Sequence, residues 1–439
     1  MLVLALLVSA PLRAETDWRS LGPEGGDVRS LAFDPNNPDR IFLGTSAGQL
    51  YISSDGGGNW KRLARLGTSD SYVLDNILID PHDPRTMFVS AWDVEREGGD
   101  LFRTHDGGRS WQVLEGMKGK PVRALAMAPS DPRILVAGTP EGVFRTADGG
   151  ATWQRISPQY HAEIRNLRSA AIDPRDPSIV YVGTSHLPWK TTDDGLSWNL
   201  INRGVIDDSD VFSIVVDRNQ PSTVYASACS GIYKSEDGGA QFRKVQGMPY
   251  SARRTRVLQQ DPVNSNVIYA GTTEGLWKTV DAGSTWKRMT APNYIVNDIL
   301  IDPRNPARLL LATDRSGVLM SLNGGASFHA ANHSFSHRQV AALLVDRSQA
   351  RIVYAGVLND KEFGGVFASY DSGGQWVQLS AGLGGSDVFS LGQAANGALV
   401  AGTNRGIFHL EPSTQRWKAR ATVVEEAPQP AARKGQIPR

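Results

Sequence analysis

THDGGRSW, running from Thr104 to Trp111, decides the fold because it does not occur only once. The same Ser/Thr-x-Asp-x-Gly-x-x-aromatic element returns as SSDGGGNW from Ser53, TADGGATW from Thr146 and TTDDGLSW from Thr191. It continues as SEDGGAQF from Ser235, TVDAGSTW from Thr279, SLNGGASF from Ser321 and SYDSGGQW from Ser369. Its acidic slot falls at Asp55, Asp106, Asp148, Asp193, Asp237, Asp281, Asn323 and Asp371, at intervals of 42 to 51 residues. A ninth, eroded copy places Glu411 in that slot and Trp417 at the aromatic. A period of this length marks a repeat architecture.

Each unit carries the same internal order. A run ending in Asp-Pro comes first, as in ILIDP up to Pro81, followed by one such as VIYAGT and a third such as GLWKT. The repeat element then leads into a fourth run that opens at its tryptophan, as in WKRM. Short runs rich in Val, Ile, Tyr, Phe and Trp, bounded by Gly, Pro and Asp, read as strands. No segment of helical length shows a 3.6-residue apolar period. Four short antiparallel strands per unit make a propeller blade. The expectation is an all-β protein: a single β-propeller of about nine four-stranded blades over residues 15–420, with two smaller rings as the alternative. Either the Trp18 or the Trp417 segment could fill the outer slot that closes the ring.

Composition narrows the function. Lys and Arg total 46 against 45 Asp and Glu, a net charge of +1, which argues against a nucleic-acid binder. One cysteine, Cys229, excludes an internal disulfide framework and a cysteine zinc cage. No metal or cofactor motif is present. Residues 1–14 (MLVLALLVSAPLRA) read as a signal peptide, too short to span a bilayer, so the expected location is secreted or periplasmic. Residues 421–439 read as a disordered tail.

The repeat element resembles the Asp-box, or BNR, repeat of sialidases, xyloglucan-type glucanases, sortilin-like receptors and photosystem II stability/assembly factor-like proteins. The order Asp-Pro, (Tyr/Phe)-x-Gly-Thr, Gly-Val-Phe-Lys-Ser, Asp-Gly-Gly-x-x-Trp looks most like the last three, over about nine-tenths of the chain. The repeated aspartates read as turn residues, each accepting local backbone N–H groups. The sialidase resemblance implies an Arg-Ile-Pro motif in the first blade, which is absent. The xyloglucanase resemblance implies a catalytic Asp after the second strand of the first blade, where Ser46 stands. Asp93, in the long loop AWDVEREGGD, is the substitute acid to consider, with Glu95 and Glu97 beside it.

A second register lies five residues before each Asp-Pro aspartate or its equivalent. It reads Arg29, Asp75, Arg123, Arg168, Phe212, Arg256, Asn297, Ala341 and Phe389. Four arginines at one position near the channel mouth suit carboxylates and other anions. The photosystem II assembly factor-like resemblance implies a basic patch that holds a partner protein. With Trp92, Asp93 and Tyr160, these residues form the candidate partner-binding face. Its variable loops are 91–100, 157–166, 205–210, 250–256 and 358–364. The residues favour a non-catalytic protein-binding or assembly scaffold, its partner another protein or an anionic peptide segment. The alternative is a carbohydrate-active protein, a glycoside hydrolase or a glycan binder using the mouth aromatics.

Overall fold

A computed structural model describes residues 24–69, 71–207, 210–252, 254–358 and 365–419. The proposed signal peptide, Trp18 and the tail lie outside them. Among the described residues the chain forms nine four-stranded antiparallel sheets and one two-residue parallel pairing. There are only two short 3-10 turns, and no helix is long and apolar enough to cross a membrane. Each sheet takes its strands in chain order, inner to outer. The inner strands are Val28–Asp34, Tyr72–Ile79, Ala124–Ala128, Ser169–Ile172, Val211–Val216, Thr255–Gln260, Val296–Ile301, Val340–Val345 and Val388–Gln393. We number the sheets 1 to 9 accordingly.

The Asp-box turns are built as the sequence implies. Thr104 Oγ1 donates to Asp106 Oδ1 at 2.7 Å, which also accepts Ser110 N–H at 3.0 Å, while Gly108 N–H donates back to Thr104 Oγ1. Asn323 keeps this pattern, accepting from Ser321 Oγ and Ser327 N–H. The turn is pinned to the Asp-Pro turn of its own sheet by bonds such as Gly107 N–H to Arg85 O at 2.9 Å, so both sets of turns share one face. The third strand of sheets 2, 4 and 6 adds a basic side chain that reaches the next sheet's Asp-box carbonyl. Lys190 Nζ to Gly238 O and Lys278 Nζ to Gly324 O are both 2.9 Å.

Sheets 1 to 7 follow one another around an axis, and sheet 7 then meets sheet 1. The strands Val28–Asp34 and Val296–Ile301 lie side by side. Leu31 N–H donates to Asp298 Oδ2 at 2.9 Å, Asn297 Nδ2 to Val28 O at 2.8 Å, and Trp60 Nε1 to Ala331 O at 2.8 Å. One apolar cluster spans this junction, with Val28, Leu31 and Leu43 of sheet 1 against Leu310, Ala312 and Val318 of sheet 7. Sheets 8 and 9 pack on each other through a separate cluster that includes Tyr354, Val366, Ala401 and Trp417. The expected single nine-bladed ring is therefore corrected to a seven-sheet ring followed by a two-sheet unit. The joint from one sheet to the next uses the same local chemistry everywhere, so the repeat count does not say where the chain closes. The two parts are linked where Gly25–Gly26 pairs in parallel with Ser336–His337.

Candidate functional site

The residues of the arginine register share a backbone device. In sheets 1, 2, 5, 6 and 7 the ladder between first and second strands slips at Arg29, Asp75, Phe212, Arg256 and Asn297. A β-bulge leaves its extra residue unpaired and re-aims its side chain. Arg123 and Arg168 sit just ahead of their strands, their N–H groups held by Gly138 O and Gly183 O at 3.0 and 2.8 Å. The outcome is one axial cavity of about 580 Å3 lined by all seven ring members of the register, together with Trp92 and Asp298. Ala341 and Phe389, the remaining two, belong to the two-sheet unit and lie elsewhere. Their sheets carry the same bulge.

Charge inside the cavity is unevenly matched. Arg29 lies 3.6 Å from Asp75 and 3.9 Å from Asp314. Burial works against its charge, but Asp75, Asp27 and Asp314 outweigh it and raise its pKa. Asp75 also accepts the Trp92 indole N–H, and the Arg123 guanidinium stacks over that indole at 4.4 Å. Burial and then the neighbouring Arg168 lower the pKa of Arg123. Burial and then Arg29 do the same to Arg256, which donates to Asn297 Oδ1. Arg168 reaches Asp210 only at 4.0 Å. The Arg123 Nε–H is buried without a hydrogen-bond acceptor, a costly state for a donor held away from water, and the Nε–H groups of Arg29 and Arg168 face only the distant carboxylates of Asp75 and Asp210.

Two sequence candidates stand apart. Asp93 is buried and caps its own loop, its carboxylate accepting Glu95 N–H, Arg96 N–H and Ser69 Oγ–H at 2.9, 3.1 and 3.2 Å. Those bonds, led by a Ser71 hydroxyl, hold its pKa below the usual carboxylate value, so it is no proton donor at neutral pH. Tyr160 is exposed on its loop with a left-handed backbone, φ 59°, and does not line the cavity. The loop at 359–364 lies outside the described residues.

Sequence reasoning missed the acids. Asp298 follows Asn297 and is half-buried at the sheet 7 to sheet 1 closure on the cavity wall, where desolvation pushes its carboxyl up to about 7. A second cavity of about 470 Å3 opens beside the first, between the ring and the start of sheet 8. Asp27, Ser46, Glu95, Asp314 and Arg338 line it. Burial pushes the Asp27 carboxyl up, Arg29 pulls it back, and the Asp314 carboxylate facing it pushes it up again. Ser46 and Asp27 line the same cavity, and the Ser46 hydroxyl pulls the Asp27 carboxyl down, so a carboxyl stands next to the slot that Ser46 occupies. Neither acid carries a motif of its own. Asp27 opens the first inner strand and Asp314 follows the second strand of sheet 7, and only ring closure brings them together.

Comparison with known proteins agrees with this architecture. Residues 230–384 match the family model described as sortilin, neurotensin receptor 3 (Sortilin-Vps10). A xyloglucanase of Hypocrea jecorina is 27% identical over 164 residues, covering 32% of this chain and 19% of that protein. The matched stretches span only 11–19% of the length of the curated relatives. Among solved structures, the GH74 xyloglucanase from Xanthomonas campestris aligns over 92% of this chain and 75% of its own, with TM-score 0.65 and 18% identity. YCF48 bound to D1 peptide aligns over 68% and 94%, with TM-score 0.52 and 15% identity. The resemblance to sortilin-like, xyloglucanase-like and assembly factor-like repeat propellers is thus borne out. At these identities the structural matches speak for the fold alone.

Proposed function

We propose that the axial cavity of the seven-sheet ring receives a carboxylate-bearing segment of another protein, and that the chain is a non-catalytic binding or assembly module. The observation that carries this reading is the gathering of Arg29, Arg123, Arg168 and Arg256 in one cavity, with Arg123 Nε–H lacking an acceptor and Arg168 no closer than 4.0 Å to a carboxylate. A carboxylate satisfies guanidinium donors in pairs and offsets the like-charge repulsion that adds to burial in lowering the pKa of Arg123 and Arg256. YCF48, a propeller of similar fold, was solved with a peptide bound.

The test titrates the full chain with a short Asp/Glu-rich peptide and its Asn/Gln counterpart, following tryptophan fluorescence because Trp92 lies under Arg123. The acidic peptide should bind, more weakly as salt rises. A double Arg123→Gln, Arg168→Gln variant should lose at least about tenfold in affinity, the worth of one charged hydrogen bond. Equal binding of both peptides, or an unaffected double variant, would sink the proposal.

The second cavity favours a second reading, glycan hydrolysis. The raised carboxyl of Asp27 is suited to donate a proton near neutral pH, with Glu95 on the same cavity as the second carboxylate that such chemistry needs. Release of reducing ends from xyloglucan, abolished by Asp27→Asn and by Glu95→Gln, would establish it. Xyloglucan left intact by the unaltered chain would remove it.

A further inference from the structure

One arginine stands between the two cavities. Arg29 lines the axial cavity, while Asp27, two residues earlier in the chain, lines the smaller cavity beside it. The Arg29 guanidinium is shared by carboxylates on both sides. It lies 3.6 Å from Asp75, on the axial cavity, and 3.9 Å from Asp314, on the second. Asp27 acts on it as well. Neither distance is that of a bidentate pair, in which N–H groups sit about 2.8 Å from the oxygens. Charge therefore holds the guanidinium among three acids and commits it to none. The side chains of Arg29, Asp75 and Asp314 keep 21–23% exposure, so an ion in the cavity can reach them.

The acids of the second cavity depend on that charge. Burial raises the Asp27 carboxyl to about 6, Arg29 is the strongest influence pulling it down, and Asp314 pushes it up. Asn297 adds a second link across the wall, its Nδ2 standing 3.5 Å from Asp27 Oδ1 while its Oδ1 accepts from Arg256. Glu95, Arg315, His337 and Arg338 complete the charged and titratable lining of the second cavity. Arg315 lies 3.9 Å from Asp314, and Arg338 is bonded to the carbonyls of Glu24 and Arg315. From the axial side, Arg256 faces Arg29 with like charge.

We propose that Arg29 couples the two cavities: an acidic segment entering the axial cavity draws its guanidinium away from Asp27 and Asp314, and that pair takes up a proton as the segment binds. This rests on the axial cavity being a carboxylate site. Charge balances in the exchange, since the ligand carboxylate takes the counter-ion and a proton from solvent replaces it at the acid pair. A proton taken up on binding makes binding tighter as pH falls. Asp27 sets the window. Well below about 6 its carboxyl is already protonated in the free protein, and no uptake remains. Above that value binding weakens with each pH unit, by at most about tenfold for one proton. Carboxylates of the ligand, ordinarily titrating near 4, stay ionised throughout. The partner is held in mildly acidic surroundings and released as they turn alkaline.

The test is a calorimetric titration of the full chain with the Asp/Glu-rich peptide at pH 7, in phosphate and in imidazole buffer. The buffers differ in ionisation heat, so the difference in apparent binding enthalpy counts the protons exchanged. The unaltered chain should take up a substantial fraction of one proton per peptide, and its affinity should fall roughly fivefold or more between pH 6.5 and pH 8. Asp27→Asn and Asp314→Asn should each lose the uptake and bind more tightly at pH 8, because one competitor for Arg29 is gone. Arg29→Gln should bind more weakly and without uptake. Asp298→Asn, which removes the other raised carboxyl near the axial cavity, should keep the uptake. No binding of the peptide removes the carboxylate site, and the coupling with it. Binding without proton exchange in the unaltered chain, a result that needs no variant to fold, overturns the coupling alone. Uptake that survives Asp27→Asn and vanishes in Asp298→Asn also overturns it, by placing the proton at the closing joint.

Discussion

The carboxylate of Asp298 accepts the backbone N–H of Leu31 at 2.9 Å, across 267 positions of sequence, and its other oxygen accepts the N–H of Ile299. The joint between sheets 5 and 6 makes the same bond with a neutral group, Ser213 Oγ accepting Leu258 N–H at 3.1 Å. At the closing joint an ionisable, half-buried side chain makes this bond, and its carboxyl is pushed up to about 7.

Stability should therefore fall as pH rises through neutrality. The folded pKa of about 7 exceeds the ordinary value of 3.8, so Asp298 costs nothing when protonated in both states. Above 3.8 the unfolded chain releases its proton first, and the loss is complete once pH passes the folded value. Asp298→Asn keeps an acceptor for Leu31 and cannot ionise. It should gain on the unaltered chain by on the order of a few kcal/mol between pH 5 and pH 9, read from thermal midpoints of the two proteins. Parallel curves would contradict the burial of a titrating carboxyl at this joint.

The Asp-box aspartates have the opposite sign. Hydrogen bonds led by Ser110 hold Asp106 well below the usual carboxylate range, so its contribution is present above the ordinary value and fades in strong acid. Asp106→Ala should lower the melting temperature by a few degrees. Asp106→Asn should lose less, because Asn323 shows that an amide makes the same turn. Calorimetry of the two variants decides the order.

Ring closure depends on Arg308 as well. Its guanidinium donates to Asp39 at 2.8 Å, to Pro38 O at 2.8 Å and to Asp302 at 2.9 Å, bridging sheets 7 and 1. Arg308→Met should cost about 2–4 kcal/mol, since it strands the buried Asp302. Hydrogen exchange in Val28–Asp34 should accelerate more than in Val211–Val216. Uniform acceleration around the ring would mean that the junction is no weaker than the other joints.

Strand glycines separate packed joints from open faces, as Gly183 on the second strand of sheet 4 and Gly392 on the inner strand of sheet 9 illustrate. Gly183→Ala would place a Cβ 2.4 Å from Val211 O, a backbone atom that cannot step aside, and should destabilise by roughly 1–3 kcal/mol. Gly392→Ala meets nothing within 4 Å and should be neutral. Denaturant midpoints of the two variants measure the contrast.

The sequence alone determined the building block. Asp-box spacing, the alternation of short β-rich runs with turn residues and the Asp-Pro punctuation are local signals, and each describes bonds made within about 45 residues, so strand order within every sheet was legible. The arginine register was legible for the same reason, being one position counted within each repeat. Tertiary structure decided where the ring closes, which acids meet and which faces stay open. Closure at sheet 7 rests on Asp298 with Leu31, Arg308 with Asp39 and Trp60 with Ala331, pairs separated by about 270 residues that carry no periodic mark. The Asp27 and Asp314 pair and the cavity around it exist only because of that closure. A repeat specifies the joint between neighbours by local packing, whereas the number of sheets that complete a turn is set by the small rotation accumulated at every joint.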